Sequence, residues 1–408
     1  MSPFWKEDWD RARENLLRWW NLEGPAISVM APKDEAWAEL PAPERELPFC
    51  QPNGPKAPPA SEARETFPVP DDAEGMWTDP ETRFRAAEYQ IAHTFYGGEA
   101  FPYFDTHLGP GNLAAMLGAE ASFSETDAWF TATMPDLTSP PPLKLDEAND
   151  WFGKQMALID YGVAHAGGRF LVSSPDLFSN IDVLAALRGT AEILTDMALE
   201  PDAVRQRIGE VDAAYFDVFN RIHATIRDEH GGNCVSVFDI WAPGRTDKVQ
   251  VDLGAMFSAD MFADLALPAL NDQCGKLDYV LYHLDGSQCL QHLDHVLAIE
   301  NLTALEWTPD PGQPGGGDPK WYDLYRRIKK AGVAVQAIWI KPDEIDPLFE
   351  AVGPEGMFLQ IRAKNETEAR ELLDRWRHGL DVDTCPHGRP TSVVITLAEL
   401  ERLFGRRR

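Results

Sequence analysis

The chain has 408 residues, of which 44% are hydrophobic and 25% are charged, as is ordinary for a globular protein. Its formal net charge of −29 is unusual. Because phosphate groups repel negative charge, we expect neither nucleic acid nor an anionic membrane surface as a partner. No apolar run approaches the roughly 18 residues that a membrane span requires. The length exceeds that of a usual single core, which predicts one large barrel with additions, or two domains.

Cysteine usage and the first residues indicate the compartment. The chain has five scattered cysteines and no CxxC pair, which is typical of a reducing environment. The opening residues, MSPFWKEDWDRARENLLRWW, are charged and lack the apolar core of a secretion signal. We therefore expect a cytoplasmic protein. Cys274 and Cys289 lie in predicted helices and are interpreted as buried structural thiols.

The first 95 residues predict helices joined by irregular structure. Residues 4–20 place tryptophans and leucines among charges, which predicts an amphipathic helix. AISVMAP, residues 26–32, favours a short strand. Residues 41–80 are rich in Pro, Ala and Glu with little periodicity, which is typical of an irregular arm. A further helix is predicted at 79–94.

Beyond residue 95, strand and helix patterns alternate almost to the end. Helix starts are marked by Ser258, by Asp318 before a proline, and by Asn365 in a capping box. Eight strands that alternate with helices predict a (β/α)8 TIM barrel with an N-terminal helical and irregular extension; a doubly wound open sheet is the alternative. We expect an extension at 1–95, the barrel at 96–383, and a C-terminal appendage at 384–408 that ends in a helix. The predicted strands are 99–104, 127–132, 169–174, 233–239, 279–283, 302–307, 333–339 and 357–361.

The stretch from Asp278 to Asp310 predicts a strand, a helix at about 288–298 and a second strand, which together form one βαβ unit. His283, Asp285 and Glu306 lie at the carboxyl ends of these strands, the edge where α/β proteins bind ligands. Because residues two apart on a strand point the same way, His283 and Asp285 are candidate metal ligands that Glu306 could join. The alternative is that His283 forms only a hydrogen bond there, and that Asp285 caps the following helix.

The other strand ends also carry polar residues and tryptophans. Asp105, Asp239 and Glu306 are candidates for acid and base catalysis. Strand-end carboxylates also cap helices, and tryptophans often only pack, so structural roles stay open for each of these residues. The candidates for substrate binding are His107, Trp241, Trp307, Gln336, Trp339 and Gln360.

Several segments resemble the uroporphyrinogen decarboxylase-like superfamily. They are GPGNLAAMLGAE, VDLGAMFSADMFADLALPAL, LYHLDGSQCLQHLDHVLAIENLTALEWTPD, WYDLYRRIKKAGVAVQ and GMFLQIRAKNETEARELL, within about residues 95–380. The resemblance implies a (β/α)8 barrel and one of two activities. One is decarboxylation of uroporphyrinogen. The other is methyl transfer between a corrinoid protein and a thiol such as coenzyme M.

The chain departs from both branches of that superfamily. It lacks the RQAGR-type motif that grips the substrate carboxylates of the decarboxylase. The methyltransferases place a zinc-binding His-x-Cys at the strand end that His283 occupies, but here the second position is Asp285. Gln360 stands where their last strand ends in cysteine. One imidazole with carboxylates suits zinc or a harder divalent ion, and could activate an oxygen or amine nucleophile.

These observations lead to a functional hypothesis. We expect an enzyme that transfers a methyl group to or from a corrinoid cofactor carried by a partner protein, with a small molecule as substrate and a divalent metal at His283 and Asp285. The hypothesis is also compatible with a homodimer. The alternatives are a decarboxylase or carbohydrate-active enzyme that uses the strand-end carboxylates, or a small-molecule-binding barrel without catalysis. Because function follows from a site and not from a fold, the geometry of these residues must decide.

Overall fold

A computed structural model describes residues 5–35, 39–47, 54–138 and 141–380, with the side chains of 377–380 left aside. Fifteen strands and fifteen α-helices make up this part of the chain. The strands are β1 (Ala26–Pro32), β2 (Ala42–Pro43), β3 (Thr66–Phe67), β4 (Thr94–Gly98), β5 (Tyr103–Phe104), β6 (Glu120–Phe123), β7 (Ala128–Thr131), β8 (Leu171–Ser174), β9 (Asn233–Val235), β10 (Ile240–Ala242), β11 (Thr246–Gln250), β12 (Tyr279–Asp285), β13 (Ala304–Thr308), β14 (Ala334–Ile340) and β15 (Met357–Arg362).

Most of the helices follow the larger strands. A π-helical turn at Phe262–Ala266 and short 3₁₀ turns, among them Pro319–Trp321, extend several of them. The α-helices are α1 (Trp9–Trp20), α2 (Ala73–Thr78), α3 (Pro80–Ala92), α4 (Asn112–Met116), α5 (Asp150–Ala166), α6 (Asn180–Arg188), α7 (Thr190–Leu199), α8 (Pro201–Ile226), α9 (Ala259–Met261), α10 (Leu267–Cys274), α11 (Gly286–Cys289), α12 (Leu293–Leu297), α13 (Tyr322–Lys330), α14 (Ile345–Val352) and α15 (Glu366–Leu380).

Two main sheets organise the fold. The larger has seven strands in the order β11-β12-β13-β14-β15-β1-β4, all parallel except for the antiparallel pair of β1 and β4. The smaller has the order β10-β9-β8-β5, with β9 and β10 antiparallel. Two-stranded sheets of β2 with β3 and of β6 with β7 lie apart from both.

The predicted (β/α)8 TIM barrel is wrong. Among the described residues no backbone ladder joins the larger sheet to the smaller one, so the strands do not form a closed cylinder. The predicted strand at 127–132 instead forms a hairpin with β6, and the predicted strand at 99–104 shrinks to two residues. The strands β4, β10 and β11 were not predicted. β4 pairs antiparallel with β1, and β10 pairs antiparallel with β9, whereas all neighbouring strands of a (β/α)8 barrel are parallel.

An asparagine side chain links the two sheets where a ladder would have to run. The Asn233 amide nitrogen donates to the carbonyl of Thr246 at 2.9 Å, and its oxygen accepts from the Thr246 amide at 3.0 Å. At the edge of the larger sheet opposite β11, β1 pairs with β15 and with the edge strand β4. Residues before 95 therefore supply a sheet strand, while the predicted domain limits stay a prediction.

Several predicted helix starts are confirmed. Asp79 accepts from the Thr82 amide at 2.8 Å at the start of α3, Ser258 from the Met261 amide at 3.3 Å, and Asn365 from the Glu368 amide at 2.8 Å. Both Cys274 and Cys289 are buried, as predicted. The predicted helix near the C-terminus lies outside the described residues. No helix in the described ranges is both long and apolar enough to cross a bilayer.

The α1 helix covers the amino ends of the larger sheet. Trp19 and Trp20 of this helix are buried, and their indole nitrogens donate to the carbonyls of Val335 and Trp241. Above them an apolar layer between the two sheets includes Leu281 and Phe358. Since this end is filled, the opposite end, at the strand carboxyl termini, is where polar side chains gather.

Asp212 on α8 is a buried carboxyl group that destabilises the fold when it ionises. Burial and the charge of Asp272 raise its pKa to about 7, although Lys276 and a hydrogen bond from the Asn180 backbone oppose the shift. A raised folded-state pKa means that the folded chain holds this proton more tightly than the unfolded chain does. Stability from this group is therefore complete below the unfolded pKa and lost as the pH rises to about 7.

We predict that Asp212→Asn loses less stability between pH 4 and pH 8 than the unmodified protein. The rise in the pKa of Asp212 corresponds to a difference in the free energy of unfolding of at most about 4 kcal/mol. Other buried carboxyls titrate in the same range, so the unmodified protein and the variant both retain some pH dependence. Urea unfolding at several pH values measures the difference. Asp217→Asn, on an exposed position of the same helix, is the control; equal pH dependence for both variants would contradict the prediction.

Candidate active site

Four polar side chains stand in one row across the larger sheet. Gln250 pairs in register with His283, His283 with Glu306, and Glu306 with Gln336. Directly opposed residues of neighbouring strands project from the same face of a sheet. The row lies near the carboxyl ends of β11 to β14, as the sequence predicted for the last three members. Register alone therefore brings the predicted metal and catalytic residues together.

The half-buried His283 and the fully buried Glu306 form a hydrogen-bonded pair. The Nδ1 atom of His283 lies 2.5 Å from the Oε2 atom of Glu306, whose side chain is fully buried. Thr308 donates its hydroxyl to the other Glu306 oxygen at 2.8 Å. Burial alone would lower the pKa of His283, but the charge of Glu306 and the hydrogen bond to it outweigh burial and raise that pKa. The pair fixes the orientation of the imidazole ring and leaves Nε2 as its free nitrogen.

Asp252, His283 and Asp285 form a cluster of metal-ligating type. Each offers one ligand atom, and these atoms lie within 4.8 Å of one another. Asp285 continues the β12 face on which His283 lies, two residues further along the strand, and Asp252 follows β11. The structure thus brings together the two predicted metal ligands and adds a third from the neighbouring strand.

Asp285 does not cap the helix that follows it. The N-terminus of α11 is capped instead by Asp310, whose carboxylate accepts from the Ser287 amide at 3.0 Å and from the Ser287 hydroxyl. Those hydrogen bonds lower the pKa of Asp310. Gly286 has φ +75°, and a Cβ there would lie 2.7 Å from the Asp310 carboxylate. Asp310 therefore caps the helix in place of Asp285, and the exposed Asp285 carboxylate is available to a ligand.

Asp252 is half-buried and lies beside the buried carboxyl group of Asp182. Its neighbour Asp182 accepts from the backbone amides of Asp252 and Leu253 at 2.9 and 3.0 Å, and Gln250 donates to Asp252 at 2.6 Å. Burial and the charge of Asp182 raise the pKa of Asp252 to about 7, while His283 opposes the shift. Burial likewise raises the pKa of Asp182. The second oxygen of Asp252, Oδ1, is buried and accepts no hydrogen bond from the described residues.

These residues fit a divalent ion in three respects. An unsatisfied buried carboxyl oxygen is costly unless it gains a partner, and an ion provides one for Asp252 Oδ1. Histidine ligands normally hydrogen-bond a carboxylate through their other nitrogen, as His283 does with Glu306. One imidazole and two carboxylates suit zinc or a harder ion. Cysteine is absent from the cluster, so thiolate-selective ions are not favoured.

A cavity of about 300 Å³ opens beside this cluster, at the carboxyl ends of β1, β14 and β15. Asp239, Trp339 and Gln360, all predicted site residues, line it. Asp239 is buried and accepts from the Tyr103 hydroxyl and from Gln360 Nε2, the latter at 3.1 Å. Burial and the charge of Asp239 raise the pKa of Tyr103 well above its ordinary value, so the phenol keeps its proton and donates.

Phe238 connects the cavity to the metal-ligating cluster. Its ring centre lies 4.9 Å from that of His283, and the same residue lines the cavity. Its carbonyl accepts from Gln336 at 2.7 Å and from Gln360 at 2.9 Å, so both of these predicted substrate-binding residues hold the Phe238 backbone. A molecule in the cavity would therefore be separated from the imidazole of His283 by the Phe238 ring.

Asp105 and His107 lie together on the loop after β5. The Asp105 carboxylate accepts from the His107 amide at 3.0 Å, and Arg83 donates to both of their carbonyls. Burial lowers the pKa of His107, against the charges of Asp105 and Asp176. Asp176 forms a buried ion pair at 2.8 Å with Lys248, which precedes the polar row on β11. This group borders the row but does not line the described cavity.

Two predicted tryptophans do not face the cavity. Trp241 is buried under α1 and donates its indole nitrogen to Asp228 at 2.8 Å. Trp307 is buried against Trp321, with ring centres 5.0 Å apart. Both therefore pack, the role that the sequence left open for them. Gln336 is buried within the polar row and donates to the carbonyl of Phe238, a residue that lines the cavity.

The sequence interpretation missed Gln250, Asp252 and Asp182. Gln250 is the last residue of β11 and Asp252 lies two residues after it, and β11 was not recognised as a strand from the sequence. The segment KVQVD nevertheless alternates strictly between polar and apolar residues, which is the strand signal, and it puts Lys248, Gln250 and Asp252 on one face. Asp182 belongs to α6 and reaches the site only through tertiary packing, so no local pattern could have found it.

No known protein-family model matches the chain. A curated relative, the DNA mismatch repair protein MutL of Pelobacter propionicus, is 41% identical over 68 residues. The match covers 16% of this chain, and the chain spans about a tenth of the length of that relative. A similarity this short shows no family and carries no activity over to this chain. The function is therefore argued from the site.

Proposed function

We propose that the protein is an enzyme that binds one divalent metal ion through Asp252, His283 and Asp285 and acts on a small molecule in the adjoining cavity. The observation that carries this proposal is the grouping of one ligand atom each from Asp252, His283 and Asp285 within 4.8 Å, beside a contact of Glu306 with His283 Nδ1 that leaves Nε2 for a ligand. An ion bound there would supply Lewis-acid chemistry and lower the pKa of a nucleophile.

The protein residues have separable tasks in this proposal. Glu306 holds the imidazole in one orientation and one tautomer, because its carboxylate accepts the Nδ1 proton. Gln250 donates to Asp252 and so orients that carboxylate toward the cluster. Lys248, paired with Asp176, adds a buried positive charge that lowers the pKa of His283 and partly offsets the surrounding carboxylates. Phe238 lies between the cavity and the His283 ring.

Methyl transfer with a corrinoid-carrying partner protein is the reaction we propose, on the strength of the resemblance to the uroporphyrinogen decarboxylase-like superfamily. In the direction away from the corrinoid, the nucleophile's electron pair forms the new bond to the methyl carbon. The pair of the broken bond stays on cobalt, and the nucleophile's proton leaves to a carboxylate. Cytoplasmic location belongs to the same proposal and is supported by Cys234, Cys274 and Cys289, which are buried free thiols.

We predict that the purified protein binds about one Zn²⁺ or Mn²⁺ ion per chain and that His283→Ala abolishes stoichiometric binding. Glu306→Gln keeps the shape of the side chain but removes the charge that orients His283, so we expect affinity to fall about 10- to 100-fold. Metal analysis after dialysis, with competition by a chelator, measures both effects.

Asp323→Asn is the matched control for the metal measurement, because its carboxylate is exposed on α13 and should leave binding unchanged. A wild-type protein without stoichiometric metal, or His283→Ala with unchanged affinity, would refute the metal site. The remaining function would then be acid and base chemistry by His283 and the buried carboxyls, as in a decarboxylase or carbohydrate-active enzyme, or binding without catalysis.

We predict that methylcobalamin is demethylated when the metal-loaded protein is given a small-molecule nucleophile that the cavity accepts. The change in cobalamin absorbance follows the reaction, and Asp252→Asn should slow it at least about 100-fold, as expected when a metal ligand is lost. Asp323→Asn should react like the unmodified protein. Unchanged absorbance across thiol, amine and hydroxyl nucleophiles, with metal bound, would contradict methyl transfer but leave the metal site intact.

A further inference from the structure

Residues 176–182, which follow β8 and include the start of α6, contact the polar face of β11 and are called the β8–α6 segment. Asp176 pairs with Lys248 at 2.8 Å, and Ser179 donates its hydroxyl to the Gln250 carbonyl at 3.4 Å. β8 belongs to the smaller sheet and β11 to the larger one. The β8–α6 segment therefore connects the two sheets through side-chain contacts at the end where the metal-ligating cluster lies.

Two residues of the β8–α6 segment have backbone conformations that residues with a side chain seldom adopt. Phe178 has φ +56° and Asn180 has φ +32°. The Phe178 amide donates to the Asp176 carboxylate at 2.9 Å, and the centre of the Phe178 ring lies 4.4 Å from Lys248 Nζ. Backbone strain persists where the surrounding contacts enforce it, commonly at functional sites. Contacts with β11 thus accompany a course of the chain that local preference alone does not favour.

Asp182, at the end of the segment, holds the turn that follows β11. Its side chain is buried, and its oxygens accept from the amides of Asp252 and Leu253 at 2.9 and 3.0 Å and from Gln250 Nε2 at 3.4 Å. A buried carboxyl group needs such donors to offset its lost hydration. Because the three donors all belong to residues 250–253, Asp182 fixes the backbone from which the Asp252 side chain projects.

The amide nitrogen of Gln250 serves both carboxyl groups. Nε2 donates to Asp252 Oδ2 at 2.6 Å and to Asp182 Oδ2 at 3.4 Å. A primary amide nitrogen carries two hydrogens, so it serves both acceptors at once. Asp252 Oδ2 is thereby occupied, while Oδ1 accepts no hydrogen bond from the described residues. The oxygen left for an ion is therefore Oδ1.

We propose that Asp182 is a positioning residue of the metal site, which holds the Asp252 backbone and, through Gln250, selects Asp252 Oδ1 as the ligand atom. This inference rests on the proposed function, because it presupposes the ion. The three metal ligands lie on β12 or just after β11, in the larger sheet, whereas Asp182 lies on α6, which follows the smaller sheet. Metal affinity then depends on a contact between the two parts of the fold.

This dependence acts in both directions. If the contact of Asp182 raises metal affinity by some factor, bound metal strengthens that contact by the same factor. The β8–α6 segment carries no metal ligand, so slower amide exchange in this segment on metal binding reports the contact. Hydrogen–deuterium exchange should show this protection in the unmodified protein and its loss in Asp182→Ala.

Titration of the metal-free full chain with Co²⁺, in competition with a chelator, tests the positioning role. Asp182→Ala should weaken Co²⁺ binding about 10- to 100-fold, as expected when a group that orients a metal ligand is lost. It should also change the visible absorption of the bound ion, which depends on the ligand geometry. Asp182→Asn keeps the shape and one acceptor oxygen, so its affinity should fall only about three- to tenfold, the value of one hydrogen bond.

Asp247→Asn is the matched control for a purely structural effect. Asp247 is a buried carboxyl group of the same strand, but it projects from the opposite face and accepts from the Tyr215 hydroxyl at 2.5 Å. This variant should lose stability in urea and keep both the affinity for Co²⁺ and the absorption spectrum of the bound ion.

A double-mutant cycle tests whether Asp182 and Gln250 act on the same ligand. Asp182→Ala combined with Gln250→Ala should weaken Co²⁺ binding less than the product of the two single effects, because both act through Asp252. Independent effects would contradict the shared role.

The outcomes distinguish this inference from the proposed function. Unchanged Co²⁺ affinity and spectrum in Asp182→Ala, or in Asp182→Asn where the alanine variant does not fold, would overturn the positioning role and leave the metal site intact. An unmodified protein that binds no stoichiometric Co²⁺ would overturn the proposed function and this inference together.

Discussion

The contact between His283 and Glu306 is the constraint on which the site depends. A fully buried carboxylate costs several kcal/mol in desolvation unless a partner compensates it, and here the imidazole and the Thr308 hydroxyl do so. The same contact fixes which imidazole nitrogen is free. Every chemical role that we assign to Asp252 and Asp285 presupposes this orientation.

The sheet makes this contact possible through its register. Parallel pairing of β11 to β14 sets Gln250, His283, Glu306 and Gln336 side by side, while α1 fills the opposite end with buried tryptophans. The polar row therefore lies at the carboxyl ends of these strands. Beside them the cavity lies at the carboxyl ends of β1, β14 and β15, lined by Asp239 and Gln360 among others.

Local patterns predicted some of this and missed what depends on distant packing. The βαβ unit at 278–310 was readable because its strands and its polar ends are contiguous, and so were the caps at Ser258 and Asn365. The barrel prediction failed because a count of strands does not show whether the sheet closes. The segment at 127–132 pairs only with β6 among the described strands, as one arm of a hairpin. The Asn233 side chain bonds to Thr246 where a closed barrel would have a backbone ladder. The cap supplied by Asp310 could not be seen, since Asp310 lies 23 residues from the Ser287 amide that it accepts from.

The central claim is that Glu306 orients His283 so that an ion binds between Nε2 and the carboxylates of Asp252 and Asp285. Anomalous diffraction from crystals grown with Zn²⁺ or Mn²⁺ tests it most directly. We predict one strong peak about 2.0–2.2 Å from these three ligand atoms, with Nδ1 still on Glu306. Well-ordered crystals that show no peak there, or an imidazole turned away from Glu306, would contradict the account.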